Sequence, residues 1–299
     1  MTRAVQAGAQ PLSAEEVRRR ARICIGGLPP FSPVLSQLLS SISQPDDSVS
    51  LPRLALSIQK DVVLSGKVLA AANSALYSRG QTIYMIAHAV ARLGLNPLRN
   101  LVLGFSITQL WSKARVPRAF SIERFNRHAL ATATLAEMIA KRAAKELVEE
   151  AFVSGLFHDA GQLLMASIFQ TDYTDFLDNY NRTLGFPGVV SMEAAERENF
   201  QACHGELSAD AVAIWKLPAR VQFAVRHHEN PAAGRSGPEY LMLANITHAA
   251  DLFADHLGFT LNENQPAPSY DEVAEDLNLD SEILCREFER HFSAVRSAF

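Results

Sequence analysis

The chain has few cysteines, no excess of basic charge and no long apolar run. Cys24, Cys203 and Cys285 form no CxxC pair, which argues against a disulfide framework and against a cysteine zinc site. The 28 Lys and Arg residues against 32 Asp and Glu give a net charge of −4, which gives nucleic-acid binding no support. No window approaches the roughly 18 apolar residues of a membrane span, and residues 1–16 lack a signal-peptide core. We therefore expect a cytoplasmic protein without membrane association.

Helical periodicity dominates the sequence, and no segment shows the alternation typical of a strand. The pattern predicts an all-α protein. A basic, proline-containing segment, SKARVPRAF at 112–120, is interpreted as the seam between two helical halves. The chain is accordingly divided into an N-terminal extension at 1–20, a first helical half at 21–120, a second helical half at 121–258, and a C-terminal loop with closing helices at 259–299.

Titratable side chains lie on or beside apolar helix faces in the second half. His158 and Asp159 are adjacent in the segment FVSGLFHDAGQLL at 152–164, where a buried polar group is unfavourable unless it is paired or binds a metal. A single histidine on such a face is usually a satisfied core residue, but a helical bundle can gather several into one pocket. Imidazole and carboxylate together suit one or two divalent ions of iron, manganese or zinc. The candidate ligands are His128, His158, Asp159, His204, His227, His228 and Asp251.

Several motifs resemble one known family. They include AANS at 71–74, IAHAVARLG at 86–94, FNRHALATATLA at 125–136, AFVSGLFHDAGQLLM at 151–165 and CHGELSADAVAIWKLPARVQFAVRHHENP at 203–231. Together they resemble the HDOD family, a relative of the HD and HD-GYP metal-dependent phosphohydrolases. The resemblance implies an HD-like helical bundle with an additional N-terminal helical subdomain, in bacterial signal-transduction proteins without a common reaction. Asn73, at the end of an Ala-rich helix, is expected to act as a local cap or turn partner.

The resemblance places a metal ligand at each of the seven candidate positions, but three features depart from the phosphohydrolases. Arg124 stands one helical turn before His128, where a metal-rich relative could offer a carboxylate. Gln162 follows the HDAG segment, where phosphohydrolases commonly have a lysine. No Gly-Tyr-Pro loop follows Glu229, which removes much of the likeness to the cyclic-dinucleotide enzymes. The departures favour metal binding over catalysis.

Two functions therefore stay open. The favoured one is a regulatory HDOD protein that acts through protein–protein interaction with signalling partners and retains a vestigial or structural metal pocket. The alternative is a metal-dependent phosphohydrolase acting on a nucleotide or cyclic dinucleotide. In that case His158 and Asp159 would lie at the catalytic centre, and Arg124 could meet the phosphate.

Overall fold

A computed structural model describes residues 12–43, 50–78, 80–183, 188–261 and 267–296. Within these ranges the chain forms sixteen α-helices, two short 310 helices and no strand, which confirms the all-α prediction. The helices are α1 (Ala14–Gly26), α2 (Pro33–Ser43), α3 (Leu51–Gln59), α4 (Val62–Ala72), α5 (Ile86–Leu93), α6 (Leu95–Trp111), α7 (Ile122–Ala143), α8 (Val148–Phe157), α9 (Ala160–Phe169), α10 (Thr171–Asn181), α11 (Met192–Phe200), α12 (His204–Ile214), α13 (Ala219–Arg226), α14 (Pro238–His256), α15 (Asp271–Asp276) and α16 (Ser281–Arg296). None of these helices is both long and apolar enough to cross a membrane.

The helices form two compact units, and each unit is built from two separate stretches of chain. The first unit comprises Met1–Pro29 and Trp111–Leu279, and the second comprises Pro30–Leu110 and Asp280–Phe299. This grouping assigns α1 and α16 differently from the four consecutive ranges drawn from the sequence, which stay a prediction. Residues 1–11 of the predicted extension and 262–266 of the predicted C-terminal loop lie outside the described residues.

In the second unit, Asn73, Gly94 and Pro97 mark helix ends. The Asn73 amide donates to the main-chain oxygen of Ile83 and accepts from its N–H, both at 2.8 Å, which confirms the predicted turn partner. Gly94 ends α5 with a positive φ of 76°, which glycine adopts without strain. Pro97 follows in the first turn of α6, where its missing N–H leaves no hydrogen bond unmade.

The first unit is organised around the buried helix α7, which packs against α8 and α14. The close approach of α8 depends on Gly155, because a Cβ there would lie 2.8 Å from both Ala133 Cα and Thr132 O. Helix α1 also packs in this unit, against α9 and α12. Its Arg18 lies 3.8 Å from Glu206 and 3.6 Å from Asp210, both on α12. These contacts bring the histidine-bearing helices together.

Candidate metal centre

Five helices or helix junctions of the first unit carry the candidate ligands. His128 lies on α7 and Asp251 on α14, on the buried faces that the helical spacing predicted. His204 is the first residue of α12, and its backbone N–H donates to Glu196 Oε2 at 2.7 Å. The other ligands lie where helices end.

His158 and Asp159 lie at the junction of two helices. Helix α8 ends at Phe157 and α9 begins at Ala160, so the two residues form the bend between these helices. His228 follows the last residue of α13, Arg226, and is buried. Adjacent side chains of a straight helix point about 100° apart, whereas at this junction the side chains of His158 and Asp159 approach to 3.4 Å.

The first group of ligands is built around His128 and His158. Their Nε2 atoms lie 3.0 Å apart. Asp159 Oδ2 is 3.5 Å from Nε2 of His128 and 3.4 Å from that of His158. Asp251 Oδ1 lies 3.1 Å and 3.4 Å from the same two nitrogens. Two imidazoles and two carboxylates therefore converge within one ligand sphere.

The second group is built around His204 and His228, whose Nε2 atoms lie 3.3 Å apart. The other carboxylate oxygen of Asp159, Oδ1, is 3.4 Å from Nε2 of His204 and 3.6 Å from that of His228. Glu229 Oε1 lies 3.5 Å from His204 Nε2. Asp159 thus presents one oxygen to each histidine pair.

Hydrogen bonds at Nδ1, the ring nitrogen that faces away from the cluster, fix the orientation of the four imidazoles. Each Nδ1 lies 2.7–2.8 Å from an oxygen atom. The partner is the main-chain oxygen of Phe259 for His128, of Gly155 for His158 and of Val225 for His228. For His204 it is the carboxylate oxygen Oε2 of Glu196. Because a carbonyl or carboxylate oxygen only accepts, each Nδ1 carries the proton, and in the neutral ring the Nε2 lone pair faces the cluster. Two lone pairs facing each other at this spacing repel unless a proton or a cation lies between them. This donor set fits a divalent metal ion, since metal-binding histidines characteristically donate their other N–H to such an acceptor.

The charges of the cluster also favour a bound cation. Burial opposes protonation of His128, yet Asp251, Asp255 and Asp159 together raise its pKa to about 10. Burial opposes ionisation of Asp159, but the surrounding histidines hold its pKa below the usual range. The carboxylates of Asp159 and Asp251, whose pKa is lowered by the histidines, are therefore poised to stay ionised, while the imidazoles attract positive charge. A metal ion would supply that charge in place of protons.

Sequence reasoning missed three carboxylates near the cluster. Glu196 is wholly buried, accepts from His204 and also accepts the Tyr173 hydroxyl hydrogen bond at 2.6 Å. Burial, partly offset by His204 and His228, raises the pKa of Glu229 to about 7. Asp255 lies 3.5 Å from Nδ1 of His128. Only Asp255 had a usable signal, because it follows Asp251 by four residues on α14 and so shares its face.

His227 is the one predicted ligand that the structure does not bring into the cluster. Its ring packs on Phe223, with ring centroids 4.6 Å apart, while the ring of His228 turns inward. Burial and the neighbouring Arg226 lower the pKa of His227, the opposite of the shift at His228. The geometry thus brings together six of the seven predicted ligands. That they bind metal stays a prediction.

The contact between α9 and α12 holds the two histidine pairs in register. Ser208 Oγ donates to His158 O at 2.6 Å and accepts from Gly161 N at 2.7 Å. Gly161 itself abuts the backbone of His204, where an added Cβ would lie 2.7 Å from Cα. The glycine and the serine therefore set the separation between Asp159 and the second histidine pair.

A cavity of about 630 Å³ opens in the same unit, beside the cluster. Arg124, four residues before His128, and Gln162, three residues after Asp159, both line it. Because residues four apart share a helix face, Arg124 brings the cavity one turn along α7 from His128, and Gln162 lies in the first turn of α9. Among the described residues that line it, none is one of the six converging ligands.

Comparison with protein families gives a match to the HDOD domain over residues 28–231. The chain belongs to the HDOD family. The matched range includes every candidate ligand except Asp251, which lies twenty residues beyond its end. The HDOD match therefore covers most of the cluster, and the structure adds the ligand from α14.

Solved structures show the same fold across nearly the whole chain. An HDOD domain protein of unknown function from Geobacter sulfurreducens has 21% sequence identity and a TM-score of 0.73, with 96% of this chain and 98% of that chain covered. A candidate phosphohydrolase from Shewanella amazonensis SB2B has 20% identity and a TM-score of 0.68, with 93% and 96% covered. A candidate signal-transduction protein from Marinobacter aquaeolei VT8 has 20% identity and a TM-score of 0.67, with 94% and 64% covered. At these identities the likeness establishes the fold.

A curated relative is considerably longer than this chain. An uncharacterized protein of Treponema pallidum (strain Nichols) is 25% identical over 209 residues, which are 69% of this chain and 38% of the relative. The aligned part thus spans well under half of that protein.

Proposed function

We propose that this HDOD protein is a signal-transduction regulator whose first unit holds one or two divalent metal ions and whose surfaces bind signalling partners. The observation that carries the metal site is the convergence of four Nε2 atoms on Asp159, with every Nδ1 held by an oxygen acceptor. Iron, manganese and zinc all suit this mixture of imidazole and carboxylate. An ion bound there would neutralise the carboxylates and lower the pKa of a bound water.

A regulatory role is supported by what surrounds the ligands. His158 is fully buried and Asp159 is 5% exposed, so the centre offers little surface to a substrate. An apolar-flanked amide, Gln162, stands where the resemblance leads us to expect a lysine that could neutralise a phosphate. The Marinobacter protein of the same fold is described as a candidate signal-transduction protein. In this role the metal would stabilise one arrangement of the helices that partners recognise.

The first experiment is elemental analysis of protein purified anaerobically and without an affinity-metal step. We expect one or two equivalents of iron, manganese or zinc per chain, lost in His158→Ala/Asp159→Ala. His227 and His228 provide a matched pair, because the structure turns only the second ring toward the cluster. His227→Ala should retain the metal and His228→Ala should lose it. Wild-type protein that is folded and metal-free, and that takes up none of the three metals when they are added, would refute the metal site.

A second candidate function is a metal-dependent phosphohydrolase acting on a nucleotide or cyclic dinucleotide. The observation that favours it is the cavity next to the cluster, into which Arg124 brings a positive charge. His158 and Asp159 would then be the ligands at the reacting centre, and Arg124 would bind the phosphate. The metal-loaded protein should release phosphate or open a cyclic dinucleotide, and Asp159→Asn should abolish this activity. If the metal-loaded protein hydrolyses none of these substrates, the phosphohydrolase function is refuted and the regulatory function is retained.

A further inference from the structure

Most of the large apolar side chains that are exposed in the described part of the chain lie close together in the sequence, within residues 56–85 of the second unit. Val62 is 84% exposed and Tyr84 is 82% exposed. Single exposed apolar residues are ordinary on a protein surface, whereas a contiguous group of them indicates a binding surface. The group, called the apolar patch below, consists of Leu56, Val62, Val63, Leu76, Tyr84 and Met85.

One end of the apolar patch lies where α3 meets α4. Leu56 is in the last turn of α3, and Val62 and Val63 form the first turn of α4. The turn between the two helices is tight, because Ser65 Oγ on α4 donates to the main-chain oxygen of Ile58 on α3 at 3.0 Å. The three exposed side chains therefore lie at one end of the helix pair.

The other end of the apolar patch lies where α4 ends. Asn73 follows the last residue of α4, and its two hydrogen bonds hold the backbone of Ile83 beside it. Tyr84 and Met85 come directly after Ile83, and Leu76 comes three residues after Asn73. The apolar patch thus extends along the whole of α4, which at 1.5 Å per residue is about 16 Å.

The middle of the apolar patch has no large side chains. Gly66 and Ala70 follow Val62 at intervals of four residues, so they share its exposed face of α4. Glycine inside a helix is less favourable than alanine by about 1 kcal/mol. A Cβ at Gly66 would meet nothing within 4 Å, so packing within the unit does not require glycine there. A glycine on an exposed face allows the backbone of another molecule to approach closely.

Positive charge lies at the α3 end of the apolar patch. Arg53 and Lys60 are exposed and lie about one helical turn before and after Leu56. Neither side chain pairs with a carboxylate among the described residues. Residues 51–93 contain five Lys and Arg against one acidic residue, a net charge of +4 in a chain whose net charge is −4. That acidic residue, Asp61, caps α4 by accepting from a backbone N–H at 2.9 Å.

These features limit what can cover the apolar patch. Two copies of it placed face to face would bring like charges together, which is unfavourable at an interface. Since the described helices are accompanied by no strand, they offer no sheet edge to an extended peptide. A helix with one apolar face fits the flat surface of α4, and acidic residues beside that face would meet Arg53 and Lys60.

We propose that the apolar patch binds an acidic amphipathic helix of a partner protein. A helix of about eleven residues, the length of α4, would cover it. Its apolar side chains would lie against the valines at one end and against Tyr84 and Met85 at the other, with its backbone close to Gly66. This interaction rests on the proposed regulatory function, and it names the surface and the chemistry of the partner.

The test is selection of random 16-residue peptides, displayed on phage, against the full chain. Peptides that also bind Val62→Gln/Val63→Gln are removed, because this neutral variant disrupts the apolar patch without favouring either charge. We expect the enriched peptides to carry net negative charge, with apolar residues spaced three and four apart. Neutral or basic enriched peptides, or no enrichment over the variant, would overturn the proposal.

A synthesised copy of the enriched peptide then allows the affinity to be measured. We expect it to bind the wild type at least ten-fold more tightly than Val63→Glu or Gly66→Glu, and to bind less tightly as salt is added. Val190→Glu is the matched control, because Val190 is 53% exposed against 55% for Val63 and lies in the first unit. It should leave the affinity unchanged. Equal affinity for the wild type and Val63→Glu would overturn the proposal.

Thermal unfolding separates a binding surface from a structural role. Glutamate is favourable in the first turn of a helix, and Gly66→Glu adds a side chain where a Cβ meets no neighbour. Both variants should therefore keep the wild-type melting temperature. Variants that melt clearly lower and still bind the peptide normally would show a structural role for these positions and overturn the proposal.

Two measurements without peptide test the other occupants. In sedimentation equilibrium, a dimer that Gly66→Glu dissociates would show that a second copy covers the apolar patch and overturn the proposal. In flotation with vesicles of phosphatidylcholine and phosphatidylserine at 70:30, binding that Val63→Glu abolishes would identify a lipid surface instead and also overturn it. We expect neither result.

Elemental analysis of the same variants separates this proposal from the metal site. Val63→Glu and Gly66→Glu should contain as much metal as the wild type, because both positions lie in the second unit. If the protein holds no metal but selects acidic helices, the metal site fails and the docking proposal stands. If it holds metal but selects no acidic peptide, the docking proposal fails and the metal site stands.

Discussion

Replacing Gly161 by alanine tests how the metal centre is assembled. An added Cβ would overlap the main-chain oxygen of His204 and lie 2.6 Å from its carbonyl carbon. Non-bonded carbon atoms pack at about 3.5–4.0 Å, so α9 and α12 would have to separate by about 1 Å at this point. No flexible side chain can absorb the overlap, because the atoms in the way belong to the backbone.

The separation acts directly on the ligands. Asp159 lies two residues before Gly161, and His204 carries the backbone against which it packs. Binding geometry generally has to be held to about 0.5 Å, so a shift of this size should weaken metal binding by at least 10–100-fold. Overpacking of this kind also lowers the free energy of unfolding by about 1–3 kcal/mol.

Gly66→Ala is the matched control. Gly66 lies inside α4, its added Cβ would meet nothing within 4 Å, and alanine is the better helix former by about 1 kcal/mol. We expect this variant to equal or exceed the wild type in stability and to keep its metal. Both variants are measured by metal titration and by chemical unfolding. Gly161→Ala with wild-type metal affinity would refute the argument that this contact sets the ligand positions.

Three further predictions concern the groups behind the ligands. Ser208→Ala leaves the buried main-chain oxygen of His158 without its donor, so unfolding should become easier by about 1–3 kcal/mol and metal should bind less tightly. Glu196→Gln keeps the volume but removes the charge at Nδ1 of His204, and metal affinity should fall about 10–100-fold in a competition titration. In metal-free protein, His128 has its pKa raised from 6.5 to about 10, so its contribution to stability is complete below pH 6.5 and is lost as the pH rises toward 10. Chelated protein should therefore lose stability across that range in denaturant titrations, and metal-loaded protein much less, because the ion replaces the proton.

Each of these has a clear contrary result. Unchanged metal affinity in Ser208→Ala or Glu196→Gln would show that the rings are held by packing alone. Stability of the chelated protein that is constant or rises between pH 6.5 and 10 would show that the imidazole protons do not compensate the carboxylates.

Long periodic helices made the better part of the fold predictable. The helical spacing around His128 predicted the buried face of α7, and the spacing that leads to Asp251 predicted that of α14. Within a helix each residue is rotated by the same angle from the one before it, so the spacing of apolar residues in the sequence is enough to predict which side chains face the core.

The ends of helices were not predictable in the same way. His227 and His228 follow the last residue of α13, where the helical angle no longer applies, and the sequence cannot say which ring turns inward. Glu196 lies on α11, and its contact with His204 depends on how α11 and α12 pack rather than on any spacing. The role of Gly161 depends on the backbone of a residue more than forty positions away. Such contacts exist only once the helices have been placed.

The two oxygens of Asp159 make the histidine pairs dependent on each other. Whatever positive charge occupies the His128–His158 pair draws on the same carboxylate that serves His204 and His228. If filling the first pair changes the affinity of the second by some factor, then filling the second pair changes the affinity of the first by the same factor. The two positions then fill along a joint isotherm, steeper or shallower than that of two independent sites. The shape of that isotherm determines whether metal occupancy rises abruptly or gradually as the concentration of free metal increases.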